Sequence, residues 1–136
     1  MDGPSDDEPV ILAREPVTMG RMRRLRQLVA WAARRVGLTK ERGQALEVAV
    51  NEAVSNVIRH GGGSGHLELI KDDDRALVAR ISDNGPGMTI HPPAALPPAE
   101  QHHGRGLYLI QHLCDRVEYR TGPDGNTVLL EMELSR

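Results

Sequence analysis

Two helical patterns precede almost every strand pattern in this chain, and that order limits the folds open to it. From Thr18 to Val36 the residues Met22, Leu25, Val29, Ala32 and Val36 recur at steps of three and four, the spacing of one helix face. Gly37 is a natural stop. Thr39 makes a plausible N-cap for a second helix running to about Arg59, with Leu46, Val50, Ala53 and Val57 as its buried stripe. Only Val10-Ile11-Leu12-Ala13, a short apolar run that suits an edge strand, comes earlier. Strand patterns follow at His66 to Ile70 and Arg75 to Ser82, joined by a turn at Lys71 to Asp74. Another pair, Val117 to Arg120 and Thr127 to Leu134, flanks a turn at Gly122 to Asn126, and a short helix is expected over Leu107 to Leu113. Such an order excludes a regular βαβ alternation and a doubly wound sheet.

At 136 residues the chain suits one domain with a real core, and that core must be aliphatic, since there is no Phe. A net charge of −2 argues against a general nucleic-acid binder. Cys114 stands alone, which rules out a disulfide framework or a thiolate metal site. Nothing resembles a signal peptide or an apolar span of about twenty residues. A cytoplasmic setting without membrane contact is therefore expected. Residues 1–8 carry Asp2, Asp6, Asp7 and Glu8 among Gly, Pro and Ser, the composition of a disordered acidic tail ahead of a single domain over 9–136. Pro86, Pro92, Pro93, Pro97 and Pro98 make a regular element between Gly85 and His103 untenable. A stretch of that kind inside a compact domain reads as a lid, at about 86–103.

Three short runs carry the chemistry. In Asn51 to His60, residues Glu52, Asn56 and His60 fall four apart on one side of the second helix. A Glu aimed into a cleft can deprotonate an attacking hydroxyl, and an Asn oxygen is a neutral hard ligand suited to magnesium. Taken singly, such a pair is an ordinary solvated helix face, and His60 an ordinary helix C-terminal residue. Next, Asp83-Asn84-Gly85-Pro86-Gly87-Met88 follows the apolar run Ala76 to Ile81. An Asp at a strand end can accept from an exocyclic amine while glycines let backbone approach the base; the plain alternative is a turn. Finally, Gly104-Arg105-Gly106-Leu107 opens a helix, offering bare amides, the positive end of the helix dipole and a cation to phosphates.

In this order the three runs resemble the N, G1 and G2 boxes of the GHKL superfamily, which groups gyrase, a heat-shock chaperone, histidine kinases and a mismatch-repair ATPase. The resemblance extends from roughly Thr18 to Leu134. Within it, Glu52-Ala53-Val54-Ser55-Asn56 with His60, the run from Asp83 to Met88, and Gly104 to Leu107 leading to Asp115-Arg116-Val117-Glu118-Tyr119-Arg120 are similar to the small bacterial anti-sigma-factor serine/threonine kinases. Gly125-Asn126-Thr127-Val128 matches them as well.

The resemblance implies a Bergerat-type fold: an α+β two-layer sandwich, with helices on one face of a mixed, mostly antiparallel sheet. It implies ATP and Mg2+ as cofactors, with Glu52 the catalytic base, Asn56 the metal ligand and Asp83 the adenine reader. Gly85 and Gly87 would shape the base pocket, Gly104 and Gly106 would hold phosphates, and Thr127 would help Asp83 directly or through water. His60, Met88, Arg105 and Leu107 complete the expected nucleotide contacts. The implied partners are an anti-sigma-factor antagonist that accepts phosphate on Ser or Thr, a sigma factor and a second copy of the chain, with no direct nucleic acid. A switch kinase of a stress-signalling complex, or a non-catalytic nucleotide-binding regulator, would carry the same boxes. A complete histidine kinase is not expected, for want of a phosphoacceptor helix. Two departures stand out: Ser55 where many relatives carry Thr, and the short, proline-rich lid.

Overall fold

The computed structural model describes residues 8–60, 62, 65–85 and 105–134. The acidic residues 1–7 and the whole expected lid lie outside that set.

β1 (Val10–Val17) opens the chain. It is twice as long as its apolar run, because pairing with β2 (Gly65–Asp72) carries the strand through Arg14, Glu15 and Pro16. A proline without a donor is compatible with an edge position, and β1 is an edge in the order β1-β2-β3-β5-β4. One turn of 3-10 helix, Met19–Arg21, then leads into α1 (Met22–Val36). Gly37 ends α1 at φ 86°, the left-handed conformation in which glycine carries no Cβ penalty. α2 (Lys40–His60) begins where the amide of Arg42 donates to the Thr39 hydroxyl at 3.3 Å, so the expected cap forms.

β2 and β3 (Ala76–Asp83) form a hairpin, α3 (Arg105–Leu113) follows, and β4 (Arg116–Gly122) with β5 (Gly125–Glu133) closes the chain. All four ladders are antiparallel, the limiting case of the mostly antiparallel sheet expected. β5 pairs with β3 on one side and β4 on the other, so the last strand lies inside the sheet and not at its edge.

The core lies between the helices and one sheet face. Leu25, Val29 and Ala32 of α1 and Leu46, Val50, Ala53 and Val57 of α2 are buried with Leu67, Leu69, Leu77, Ala79, Ile81, Leu130 and Met132 of the strands. The opposite face is polar at its centre, where Arg80 donates to Glu68. Far from that face, Arg42 near the start of α2 donates to the Asp115 carboxylate and, at 2.8 Å, to the Glu133 carbonyl. The amide of Glu133 also donates to Asp115, at 2.7 Å. This clamp joins the N-terminal end of α2, the segment leaving α3 and the end of β5.

Candidate functional site

α2 presents Glu52 and Asn56 one turn apart, both half-buried beside the sealed stripe of Ala53 and Val57. Among the described residues neither side chain makes a hydrogen bond or ion pair. α3 packs against α2, and the first turn of α3 comes up to Glu52. A Cβ placed on Gly106 would lie only 2.7 Å from Glu52 Oε2. The helical acid and the glycine loop, 54 positions apart, are therefore neighbours.

Asp83 closes β3. Its Oδ1 accepts from the Gly85 amide at 2.8 Å and from Asn126 Nδ2 at 3.0 Å. The first is an Asx turn, and it leaves an acceptor over: Oδ1 fixes the turn, while Oδ2 accepts no hydrogen bond among the described residues. Gly125 sits opposite at φ 139°, and a side chain there would collide with the Asp83 carbonyl. Gly62, at φ 83°, brings the chain just after α2 within 4.0 Å of the Gly85 Cα, measured from an added Cβ. Glycines on both flanks let backbone close around the Asp83 turn.

Not every expected partner converges. The Thr127 hydroxyl lies 3.4 Å from that of Ser82, its ladder partner, while Asp83 is paired with Asn126. Side chains alternate between faces along a strand, so Thr127 lies on the opposite face from Asn126, and it is Asn126 that reaches Asp83. The turn chemistry of Gly125 and Asn126 masked that role in the sequence; only the β3–β5 register reveals it. His60 is exposed at the last position of α2. Leu107 is half-buried in the first turn of α3, which Arg105 begins. Gly87, Met88 and Gly104 lie outside the described residues.

The donor set fits an adenine nucleotide with magnesium: an oriented carboxylate with a spare oxygen, a side-chain amide oxygen, and backbone amides at a helix start. Behind α3, burial pushes the Cys114 thiol from 9.0 up to about 12, with the Asp115 charge adding to it. A buried thiol held neutral in this way is a poor nucleophile.

These features define an ATP-binding α/β sandwich. The chain belongs to the histidine kinase-like ATPase domain family, whose model matches residues 16–132. No curated protein matches it by sequence. Among solved structures it is similar to the RsbU and RsbW domains of a Mycobacterium tuberculosis protein, with a TM-score of 0.66 at 19% identity, covering 95% of this chain and 33% of that one. The histidine kinase domain of a blue-light activated kinase from Erythrobacter litoralis gives 0.54 at 15%, over 85% of this chain and 60% of the other. The Acinetobacter baumannii histidine kinase AdeS gives 0.54 at 13%, over 93% and 70%. At these identities the likeness is one of fold. Among the described residues no helix is long and apolar enough to cross a membrane.

Proposed function

We propose that the chain is an ATP-dependent serine/threonine-protein kinase of the cytoplasm that phosphorylates an anti-sigma-factor antagonist and binds a sigma factor, with residues 9–136 as its kinase domain. The observation that carries this reading is the placement of Glu52 against the first turn of α3, with Asn56 one turn along α2 and Asp83 oriented at the end of β3.

Each residue then has a task. Asp83 Oδ2 accepts from the exocyclic amine of adenine, while Gly85 and Asn126 hold Oδ1 so that the carboxylate cannot rotate away. Asn56 would hold magnesium through its amide oxygen, and the metal when bound would offset phosphate charge. The amides opening α3 meet phosphate oxygens, aided by the helix dipole. Glu52 Oε2 takes the proton from a Ser or Thr hydroxyl as that oxygen attacks; a positioned base of this kind contributes about 10²–10⁴-fold. Mg–ATP, when bound, would supply the γ-phosphoryl group: its bond to the bridging β-phosphate oxygen breaks as the bond to the hydroxyl oxygen forms, and ADP leaves. Phosphoryl transfer asks mostly for positioning and charge stabilisation, which is what a rigid helix pair and a fixed turn provide.

The RsbW domain in the Mycobacterium tuberculosis neighbour supports this assignment over a histidine kinase. That neighbour joins an RsbU and an RsbW domain in one chain, which favours, as a second reading, a switch kinase within a stress-signalling complex. Incubating the purified protein with the products of adjacent genes and radiolabelled ATP tests both. Label on a Ser or Thr of one such product is expected; label on a histidine, or none on any protein, would overturn the proposal.

A further inference from the structure

Gly106 is out of place by local preference. It lies in α3 with ordinary helical dihedrals, since the positive-φ glycines among the described residues are Gly37, Gly62 and Gly125. Any residue could adopt that backbone, and glycine is among the poorest helix formers. The turn does not need a glycine for its conformation. What needs it is space.

A Cβ at position 106 would stand 2.7 Å from Glu52 Oε2, 3.5 Å from its Cδ and 3.6 Å from its Cβ. The latter two are ordinary contacts. Only the carboxylate oxygen is obstructed. Glu52 makes no hydrogen bond or ion pair among the described residues, so none of these holds its carboxylate through a polar contact. The bare backbone of Gly106 is the surface it lies against.

We infer that Gly106 is a positioning residue for Glu52: by carrying no side chain, it leaves open the one place from which the carboxylate can reach an acceptor hydroxyl. The inference rests on the reading of Glu52 as proton acceptor. A methyl group at 106 meets the end of a flexible side chain, so the fold can yield by turning the carboxylate aside. The N–H of residue 106 is kept, and with it any phosphate contact. Chemistry does not yield so easily, since a base must come within about 2.6–3.2 Å of the proton it takes. A displacement of about 1 Å costs on the order of a hundredfold in rate.

The signature is a variant more stable in its helix yet slower in its reaction. Four proteins are compared: the parent, Gly106→Ala, Glu52→Ala and the double variant. Each is measured by thermal melting, Mg–ADP calorimetry and transfer of label from ATP to an accepting neighbour-gene product. The carboxyl carbon resonance of Glu52 is followed in the two proteins that retain it. Gly106→Ala should melt at or above the parent temperature and bind Mg–ADP within roughly threefold. Its kcat should fall about ten- to a hundredfold with KM for ATP little changed, and the Glu52 resonance should move. In the Glu52→Ala background the same alanine should raise the melting temperature further, because the obstructed oxygen is gone. Should Gly106→Ala fail to fold, recovery in the double variant supports the inference and persistent misfolding overturns it. An unmoved resonance, parental kcat beside an inactive Glu52→Ala, or a collapse of Mg–ADP affinity would each overturn it too. Full activity in Glu52→Ala would instead defeat the catalytic reading beneath it.

Discussion

At the scale of single residues, the site depends on which oxygen of a carboxylate is already committed. Asp83 Oδ1 holds the Gly85 turn and receives Asn126, so replacing Oδ2 by an amide leaves the turn intact and removes only the acceptor. Asp83→Asn should therefore fold normally yet bind ADP about tenfold or more weakly, since a hydrogen bond to a charged group is worth about 1.5–3 kcal/mol. Calorimetry decides this: unchanged affinity in a folded variant would remove Asp83 from the adenine. Both Asp83 and Glu52 were legible in the sequence because their signals are local, a strand end before glycines and a four-residue helical step. Asn126 was not, because its meeting with Asp83 depends on a ladder between residues 43 positions apart. A second residue-scale consequence lies in the alkaline range. Burial pushes the Cys114 thiol to about 12, and burial together with the nearby Cys114 pushes the Tyr119 phenol from 10.0 to about 12. The unfolded chain loses these protons from about pH 9 upward while the folded chain keeps them. The stability they contribute is thus complete below pH 9 and is lost as pH rises toward 12. Urea midpoints should fall across that window, and Cys114→Ala should flatten the fall; an equal slope in the variant would remove Cys114 as a source.

At the scale of elements, the α2–α3 pair fixes the geometry, and its anchor lies at the far end from Glu52. Arg42 and Asp115 have side chains 22% and 9% exposed, so the pair is largely shielded from water. Breaking a buried pair by removing one partner costs about 3–5 kcal/mol, and partial exposure of Arg42 places Asp115→Ala near the low end of that range. The urea midpoint should drop accordingly, and a loss under about 1 kcal/mol would show the clamp to be incidental. Hairpin β4–β5 has its own anchor in Gly125, where positive φ and the approach to the Asp83 carbonyl coincide. Helices were the most legible elements: the stripes of α1 and α2 are buried largely as their spacing demands. Strand ends were less so. The apolar signal of β1 stops at Ala13 while its pairing with β2 runs to Val17, because charged residues on an edge strand can pair through their backbone with no hydrophobic pattern to mark them.

At the scale of the whole molecule, the helices cover one sheet face and present their own outer surface to partners. Arg21, just before α1, and Arg24 on it are engaged by Glu15 at 3.3 and 3.5 Å, and the Arg35 guanidinium lies 5.8 Å over Trp31. Arg23, Arg26 and Arg34 form no ion pair among the described residues. Their spacing of three and eight keeps them near one face. Most such charge is a solvated surface, but an acidic partner would find it preorganised. Complementary charge acts mainly on association rate and its salt dependence. Reversing Arg23, Arg26 and Arg34 to Glu should slow capture of such a partner about tenfold or more at low salt, while ATP affinity stays the same. Stopped-flow association across salt concentrations checks this, and an unaltered rate would return α1 to the solvent. Which arginines pair with Glu15 of β1 depends on the packing of α1 on β1, which no local pattern in the sequence carries. In the proposed mechanism one helix face divides binding from chemistry, with Asn56 serving the first and Glu52 the second. Its most direct test is phosphotransfer from saturating Mg–ATP by Glu52→Ala, beside Mg–ADP affinity for that variant and for Asn56→Ala. Transfer should fall at least a hundredfold in Glu52→Ala with affinity retained, the mark of a group that acts in the transition state, and magnesium-dependent affinity should be lost in Asn56→Ala. Transfer at the parental rate by Glu52→Ala, or equal loss of both properties in both variants, would contradict it.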